Sequence, residues 1–446
     1  MTRVGDLRLA LHERGSAPES DADRRELLAD LLNEAAELEH SAMCMYLFAG
    51  FSLKKTVAEG AVSFRQLELV RQWHARLMMI ARQEMEHLGI VCNLLTAIGE
   101  APRLRPRVGS VRSVADPGSR HLSGPFDLEP FGPAQLLRFI CIEMPADLDA
   151  ADRRLLESAI PDFDPGRFDG VVRLYDRISS LFQQIDPVVL FVGPRSAQTQ
   201  TSDVFPAKIR GIVGSAPAYN VVLNQIDDAK TAVSEIARIV SEGEGAPATS
   251  AECHFAWFID IYRQLNDELA LDPDFAPARP VVTNPSLHAA SGATSVTEPV
   301  SVALMELFDR SFTVVVALLS RFFMHTDENA DESAALQRTA FFPMMTTVIR
   351  PLAEMLTELP ANADGEGRAG PSFDLPVREA FLPHKQAAWR VLHTQLAGLR
   401  DHADLVRRRP DLSPAMQDRL ELMWENLHRV AADFALRMDV DTRGGA

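Results

Sequence analysis

The chain has 446 residues and a mass of 49.2 kDa, enough for one large domain or two to three ordinary ones. Hydrophobic residues make up 46% and charged residues 24%, globular proportions that exclude disorder of the whole chain. The 62 acidic residues outnumber the 45 basic ones, for a formal net charge of −17. That balance argues against binding nucleic-acid backbone or anionic lipid, both of which need clustered Lys and Arg.

The pattern is helical nearly throughout, with apolar residues at three- and four-residue spacing and little strand-like alternation. Helices are predicted over residues 21–55 and 64–98, the second ending at Gly99, a natural C-cap residue. A Pro-rich stretch, 99–133, is too long for a plain helix connection. The third helix starts at Pro133, which suits a first turn, and must stop near Pro145. Shorter helices follow at 152–158 and 170–185, then an irregular region at 187–217. A helix over 220–241 stops at Glu242-Gly243-Glu244-Gly245, and the next runs over 250–271 with Ser250 as its N-cap. Residues 272–299 contain five prolines and read as a linker. Four more helical runs follow at 300–324, 333–359, 377–400 and 413–437. The chain thus divides into a tail (1–20), a first helical part (21–271), the linker, and a C-terminal helical part (300–440).

Cys44, Cys92, Cys141 and Cys253 lie far apart in apolar runs and form no CxxC pair, so they read as reduced core thiols. The N-terminus lacks an apolar signal-peptide core, and no run of about 18 apolar residues occurs. The expected compartment is the cytoplasm. Gly365-Glu366-Gly367-Arg368-Ala369-Gly370 matches a nucleotide-loop pattern, but a helix precedes it and Pro371 follows, so it reads as a loop.

The informative residues are acids and histidines on apolar helix faces. The first helix carries the stripe Leu28, Leu32, Ala35, Glu39, Ala42 and Tyr46, with Glu37 on the opposite side. The second carries Leu77, Ile80, Glu84, His87, Val91, Leu94 and Ile98, with Glu86 on a polar, solvated face. Burying an unpaired carboxylate costs several kcal/mol. Metal ions are the obvious compensation, and Glu84-x-x-His87 is the ligand unit of carboxylate-bridged dinuclear sites in four-helix bundles. The third helix offers Glu143 on the face of Leu136 and Ile140. The stripe Ala232, Ile236, Ile239 and Val240 that leads to the glycine turn holds no second Glu-x-x-His; Glu244 and His254, across a loop, are the expected fourth contribution. The metal-ligand candidates are therefore Glu39, Glu84, His87, Glu143, Glu244 and His254. Tyr46, on the stripe of Glu39, is the candidate catalytic residue, as a donor to a ligand. Trp257 and Phe258 are candidates to line a pocket.

These residues resemble a known family. Leu38-Glu39-His40-Ser41-Ala42 through Tyr46-Leu47, Glu84-Met85-Glu86-His87-Leu88, and Phe139-Ile140-Cys141-Ile142-Glu143-Met144-Pro145 are similar to the helix motifs of the ferritin-like domain in the iminophenylpyruvate dimer synthase group. The glycine turn before His254 and the late segment Ala369-Gly370-Pro371-Ser372-Phe373 also resemble it. The resemblance implies an all-α fold: a ferritin-like four-helix bundle with long loop insertions, plus a C-terminal helical bundle or extension. It carries over the same six ligands. The expected cofactor is iron, two ions, with manganese the alternative, since carboxylate and imidazole ligands suit both. The expected chemistry is oxidation or oxidative coupling of a small amino-acid-derived or aromatic metabolite, with dioxygen or peroxide as co-reactant. The alternatives are metal storage without organic turnover and a helical interaction protein. A homodimer is the open option for assembly; nucleic acid and membrane are not expected partners.

Overall fold

The computed structural model describes residues 20–109, 126–167, 170–200, 222–243, 253–288, 292–375 and 382–443. Helix α1 (Asp21–Ser52) starts at a capping box in which Ser20 and Asp23 satisfy each other's backbone N–H groups. From Leu28 onward it is buried on nearly every side, so it is the central rod rather than a surface helix. Helix α2 (Phe64–Ala97) ends at Gly99, whose φ of 76° lets the chain turn back. The two run antiparallel: Gly50 lies on Leu77, Glu39 meets His87, and Arg25 caps the carbonyl of Ile98.

Helix α3 (Pro133–Ile142) begins at its proline and ends with Glu143 as C-cap. Two further helices, α4 (Ala150–Ala159) and α5 (Gly170–Gln184), follow. Helix α6 (Ala229–Gly243) starts later than its periodicity predicts. Residues 222–228 are non-helical instead, with Ile226 N–H donating to Gln198 and the Asn224 carbonyl accepting from Asn93. Helix α7 (His254–Leu271) is capped by the Cys253 sulfur, which accepts from the N–H of Ala256; Ser250, the expected cap, lies outside the described residues. It runs antiparallel to α2 through Arg65–Glu268, Trp73–Gln264, Arg76–Asp260 and Gln83–His254 contacts. Helix α2 is thus flanked by α1 and α7, with α3 against α7 and α6 across the end of α2.

In the Pro-rich stretch, residues 272–288 and 292–298 form a packed strap. Its backbone pairs with distant loops: Lys54 N–H donates to the Pro277 carbonyl, Asn284 N–H to Leu128, and Val282 N–H to Arg368. Phe275, Val281 and Asn284 are buried. Proline bars helix here but leaves carbonyls free to accept, so the pairing partners are other loops. A parallel pair of two-residue strands, β1 (Pro285–Ser286) and β2 (Thr294–Ser295), is the only sheet among the described residues.

Beyond the strap lie α8 (Pro299–Phe323), a helical rod α9 (residues 330–356), α10 (Lys385–Arg407) and α11 (Pro414–Arg443). The α9 rod contains two π turns, Gln337–Phe341 and Met345–Ile349, just before or around Pro343 and Pro351. A proline cannot donate to the turn before it, and the wider turn accommodates the loss. One buried apolar cluster runs from Leu28 to Phe434, through both helical parts. The four cysteines are free, and no helix among the described residues is long and apolar enough to cross a membrane.

One expectation on charge is corrected. Glu86 is buried, not solvated: α6 packs on that side of α2 and brings Arg238 into an ion pair with it. Glu37, opposite the α1 stripe, is also buried and pairs with Arg107 from the segment after α2.

Candidate metal centre

Glu39 comes from the middle of α1, Glu84 and His87 from α2, Glu143 from the end of α3, and His254 from the first turn of α7. All five are buried. They form two trios, Glu39–Glu84–His87 and Glu84–Glu143–His254, in each of which one ligand atom per residue lies within 4.8 Å of the others. Glu84 belongs to both trios. Glu244 lies outside the described residues. Glu242, two positions earlier at the end of α6, instead reaches His87.

The imidazoles present the same atom to the carboxylates. His87 Nδ1 is 3.4 Å from Glu84 Oε2 and 3.6 Å from Glu39 Oε2. His254 Nδ1 is 2.9 Å from Glu84 Oε1 and 3.7 Å from Glu143 Oε2. The ring centroids are 5.6 Å apart. The far nitrogens are held from behind: His87 Nε2 lies 3.1 Å from Glu242 Oε2, and His254 Nε2 3.2 Å from Gln83 Oε1. Both partners accept through oxygen, so with a metal bound each Nε2 would keep its proton and each Nδ1 would turn its lone pair inward.

The outer carboxylates are fixed in parallel fashion. Tyr46 donates its hydroxyl to Glu143 Oε1, and Tyr175 on α5 donates to Glu39 Oε1. In each case Oε2 is left facing an imidazole. Tyr46 is itself packed against Phe139 and Phe258, with centroids 4.6 and 5.1 Å away, and Trp257 lies 6.5 Å from the ring of His254. A Cβ on Gly243 would come within 2.9 Å of Glu143 Oε2, so a larger residue here would displace that carboxylate.

The residues fit a cation. Glu84 Oε1 and His254 Nδ1 are buried 2.9 Å from each other and meet no group outside the cluster, an arrangement that costs free energy with the imidazole neutral unless a positive centre satisfies both. Their ion-pair partners are each other and neighbouring ligands; among the described residues no Lys or Arg pairs with Glu39, Glu84 or Glu143. Burial and the charge of Glu84 push Glu39 up to about 8. Burial opposes the charging of His254, but Glu84 and Glu143 outweigh it and raise the imidazole to about 9. Glu84 is desolvated too, yet the two histidines hold it well below the carboxylate range. Protons thus occupy the place of a cation, and a metal would displace them. The remaining cavity is about 20 Å³, lined by Glu39, Glu84, His87 and Glu143 and by apolar residues that include Ile142, Val171 and Ile239.

Sequence reasoning missed Tyr175, Gln83 and Glu242. Tyr175 lies on the buried face of α5 with Leu174, Ile178 and Leu181, so its only signal was a hydroxyl on an apolar stripe. Gln83 falls one residue off the α2 stripe. Glu242 stood in the noted glycine turn, but with nothing to favour it over Glu244.

A family profile described as ferritin-like matches residues 32–263. The chain is 28% identical over 432 residues to dichlorochromopyrrolate synthase of Lentzea aerocolonigenes, covering 90% of this chain and 40% of that one. It is 27% identical over 396 residues to 2-imino-3-(indol-3-yl)propanoate dimerase of Chromobacterium violaceum, covering 85% of this chain and 37% of the relative. It therefore spans about two fifths of the length of these curated relatives. A crystal structure of a ferritin-like protein from Caulobacter vibrioides is similar with a TM-score of 0.43 and 17% identity, over 78% of this chain and 97% of that one. The matched span covers more than half of the sequence and holds Glu39, Glu84, His87, Glu143 and His254, and the protein belongs to the ferritin-like family.

Proposed function

We propose that residues 21–271 form a dinuclear metal-binding unit of an oxidative enzyme, with residues 300–440 as a helical domain packed on it. The observation that carries this reading is the pair of buried carboxylate–imidazole trios sharing Glu84, with Glu84 Oε1 and His254 Nδ1 meeting only each other and neighbouring ligand candidates. Glu84 would bridge two ions. Glu39 and His87 would hold one, and Glu143 and His254 the other. Glu244 is the sixth proposed ligand, and Glu242 meets the far nitrogen of His87. Iron is the proposed metal, with manganese acceptable to the same ligands, and it would supply redox chemistry toward dioxygen or peroxide.

The chain's own residues do the rest. Tyr46 and Tyr175 fix which oxygen of each outer carboxylate faces inward. The small cavity admits no organic molecule between the ligands, so a substrate would approach from the α5–α6 side, past Val171 and Ile239. Those apolar walls suit an aromatic side chain. One curated relative is by its name a dimerase of an indole-bearing imine, which supports an amino-acid-derived, aromatic substrate and an oxidation or oxidative coupling in secondary metabolism.

Elemental analysis of the purified chain, loaded under iron-replete and non-chelating conditions, tests the centre. About two ions per chain are expected, with loss in His87→Ala. No stoichiometric transition metal in the wild type would sink the reading, and hundreds of ions per chain would indicate storage instead. Dioxygen uptake with aromatic imino acids then tests the reaction class.

A further inference from the structure

The two halves of the centre match closely, except at one place. Each has a glutamate locked by a tyrosine, a histidine facing inward through Nδ1, and a share of Glu84. The difference lies behind the histidines. His254 Nε2 meets a neutral amide, Gln83, which is buried. His87 Nε2 meets a carboxylate, Glu242, whose side chain is 28% exposed.

We infer that the two metal positions are inequivalent, and that Glu242, acting as a positioning residue behind His87, makes the Glu39–His87 position the tighter of the two. This rests on the dinuclear reading above. A carboxylate accepts a stronger hydrogen bond from an imidazole N–H than an amide does, and it makes the opposite nitrogen a better electron donor to a metal. Glu242 meets the nitrogen opposite the one facing Glu39 and Glu84, so its place in this arrangement is behind the ligand rather than among the ligands.

The surroundings of Glu242 keep that role intact. Arg238 approaches Glu242 Oε1 at 3.7 Å, leaving Oε2 for His87. The same guanidinium is shared with Glu86 and Glu235, so one positive charge is spread over three carboxylates and does not neutralise Glu242. Among the described residues Gln83 has no such outer ion pair: it precedes Glu84 on α2, and its amide oxygen meets His254 Nε2.

The test is calorimetric titration of the metal-free full chain with Co2+. Wild type is expected to bind in two steps of different affinity, with His87→Ala removing the tighter step and His254→Ala the weaker. Glu242→Gln, which keeps shape and removes charge, should weaken the tighter step about 10- to 100-fold and leave the weaker one in place. Gln83→Glu should strengthen the weaker step and narrow the gap, a gain that a loosened fold would not produce. Two equal steps in wild type, removal of the tighter step by His254→Ala, or equal weakening of both steps by Glu242→Gln would each overturn the inference. No binding at all by wild type would instead defeat the dinuclear reading on which it rests.

Discussion

Two buried charged clusters in this molecule look alike in composition and differ in bookkeeping. In the C-terminal part, Arg321 and Glu328 form a bidentate pair, with N···O distances of 2.7 and 2.8 Å and both side chains almost fully buried. Every outer group is also met: Trp389 donates to Glu328 at 2.9 Å, and Arg321 donates to the carbonyls of Leu382 and Pro383. The first part buries three glutamates and two histidines with no Arg or Lys paired to those glutamates among the described residues, and its Glu84 Oε1 and His254 Nδ1 meet no group outside the cluster. The difference teaches how to separate a structural ion pair from a ligand site. A structural pair closes on itself, whereas a ligand set is complete only with something added.

Glu84→Ala presses this contrast hardest. Because Glu84 belongs to both trios, metal content should fall from about two ions per chain to none, read by elemental analysis, while Arg321→Ala should leave it unchanged. In the other direction, Arg321→Ala strands a buried Glu328 charge and should cost about 3–5 kcal/mol in urea unfolding. If the metal-free form of Glu84→Ala lost as much stability as Arg321→Ala, the centre would be a structural cluster after all.

A lone imidazole sharpens the comparison from outside both clusters. His74 has no hydrogen bond at Nε2; burial, with Arg350 and Lys55 nearby, lowers it to about 4. The folded state thus favours neutral His74, while the unfolded chain takes up the proton below about 6.5. Its effect on stability should be absent above that pH and grow as pH falls toward 4, to at most about 3 kcal/mol. His74→Asn should flatten the stability profile over that window, measured by thermal melts across pH. Smallest of all, Tyr175→Phe should keep both ions but weaken the His87 position by about 1 kcal/mol, seen as a shift in the tighter step of a metal titration.

What was legible in the sequence followed from a single helix at a time. The 3.6-residue stripe placed Glu39 in α1 and Glu84 with His87 in α2, and Pro133 and Pro145 bracketed the helix that ends at Glu143. The face of a residue on its own helix can be read from spacing. What covers that face cannot, and there the reading stopped. Glu86 looked solvated because Arg238 belongs to a helix more than a hundred residues away. Tyr175 and Gln83 act through tertiary neighbours, Glu39 and His254, that no local pattern names. The π turns of α9 were likewise hidden, since a run containing Pro343 and Pro351 has helical periodicity whether its turns are tight or wide.

The strap at 272–299 has a consequence for the order of folding. Its backbone partners are the α1–α2 connection at one end and the loop after α9 at the other, as in Lys54 with Pro277 and Arg368 with Val282. Closing loops of that length costs chain entropy before any contact repays it. The strap therefore has nothing to bind until the helices on both sides of it have formed, and its amides should be the last in the core to gain protection from hydrogen exchange during refolding.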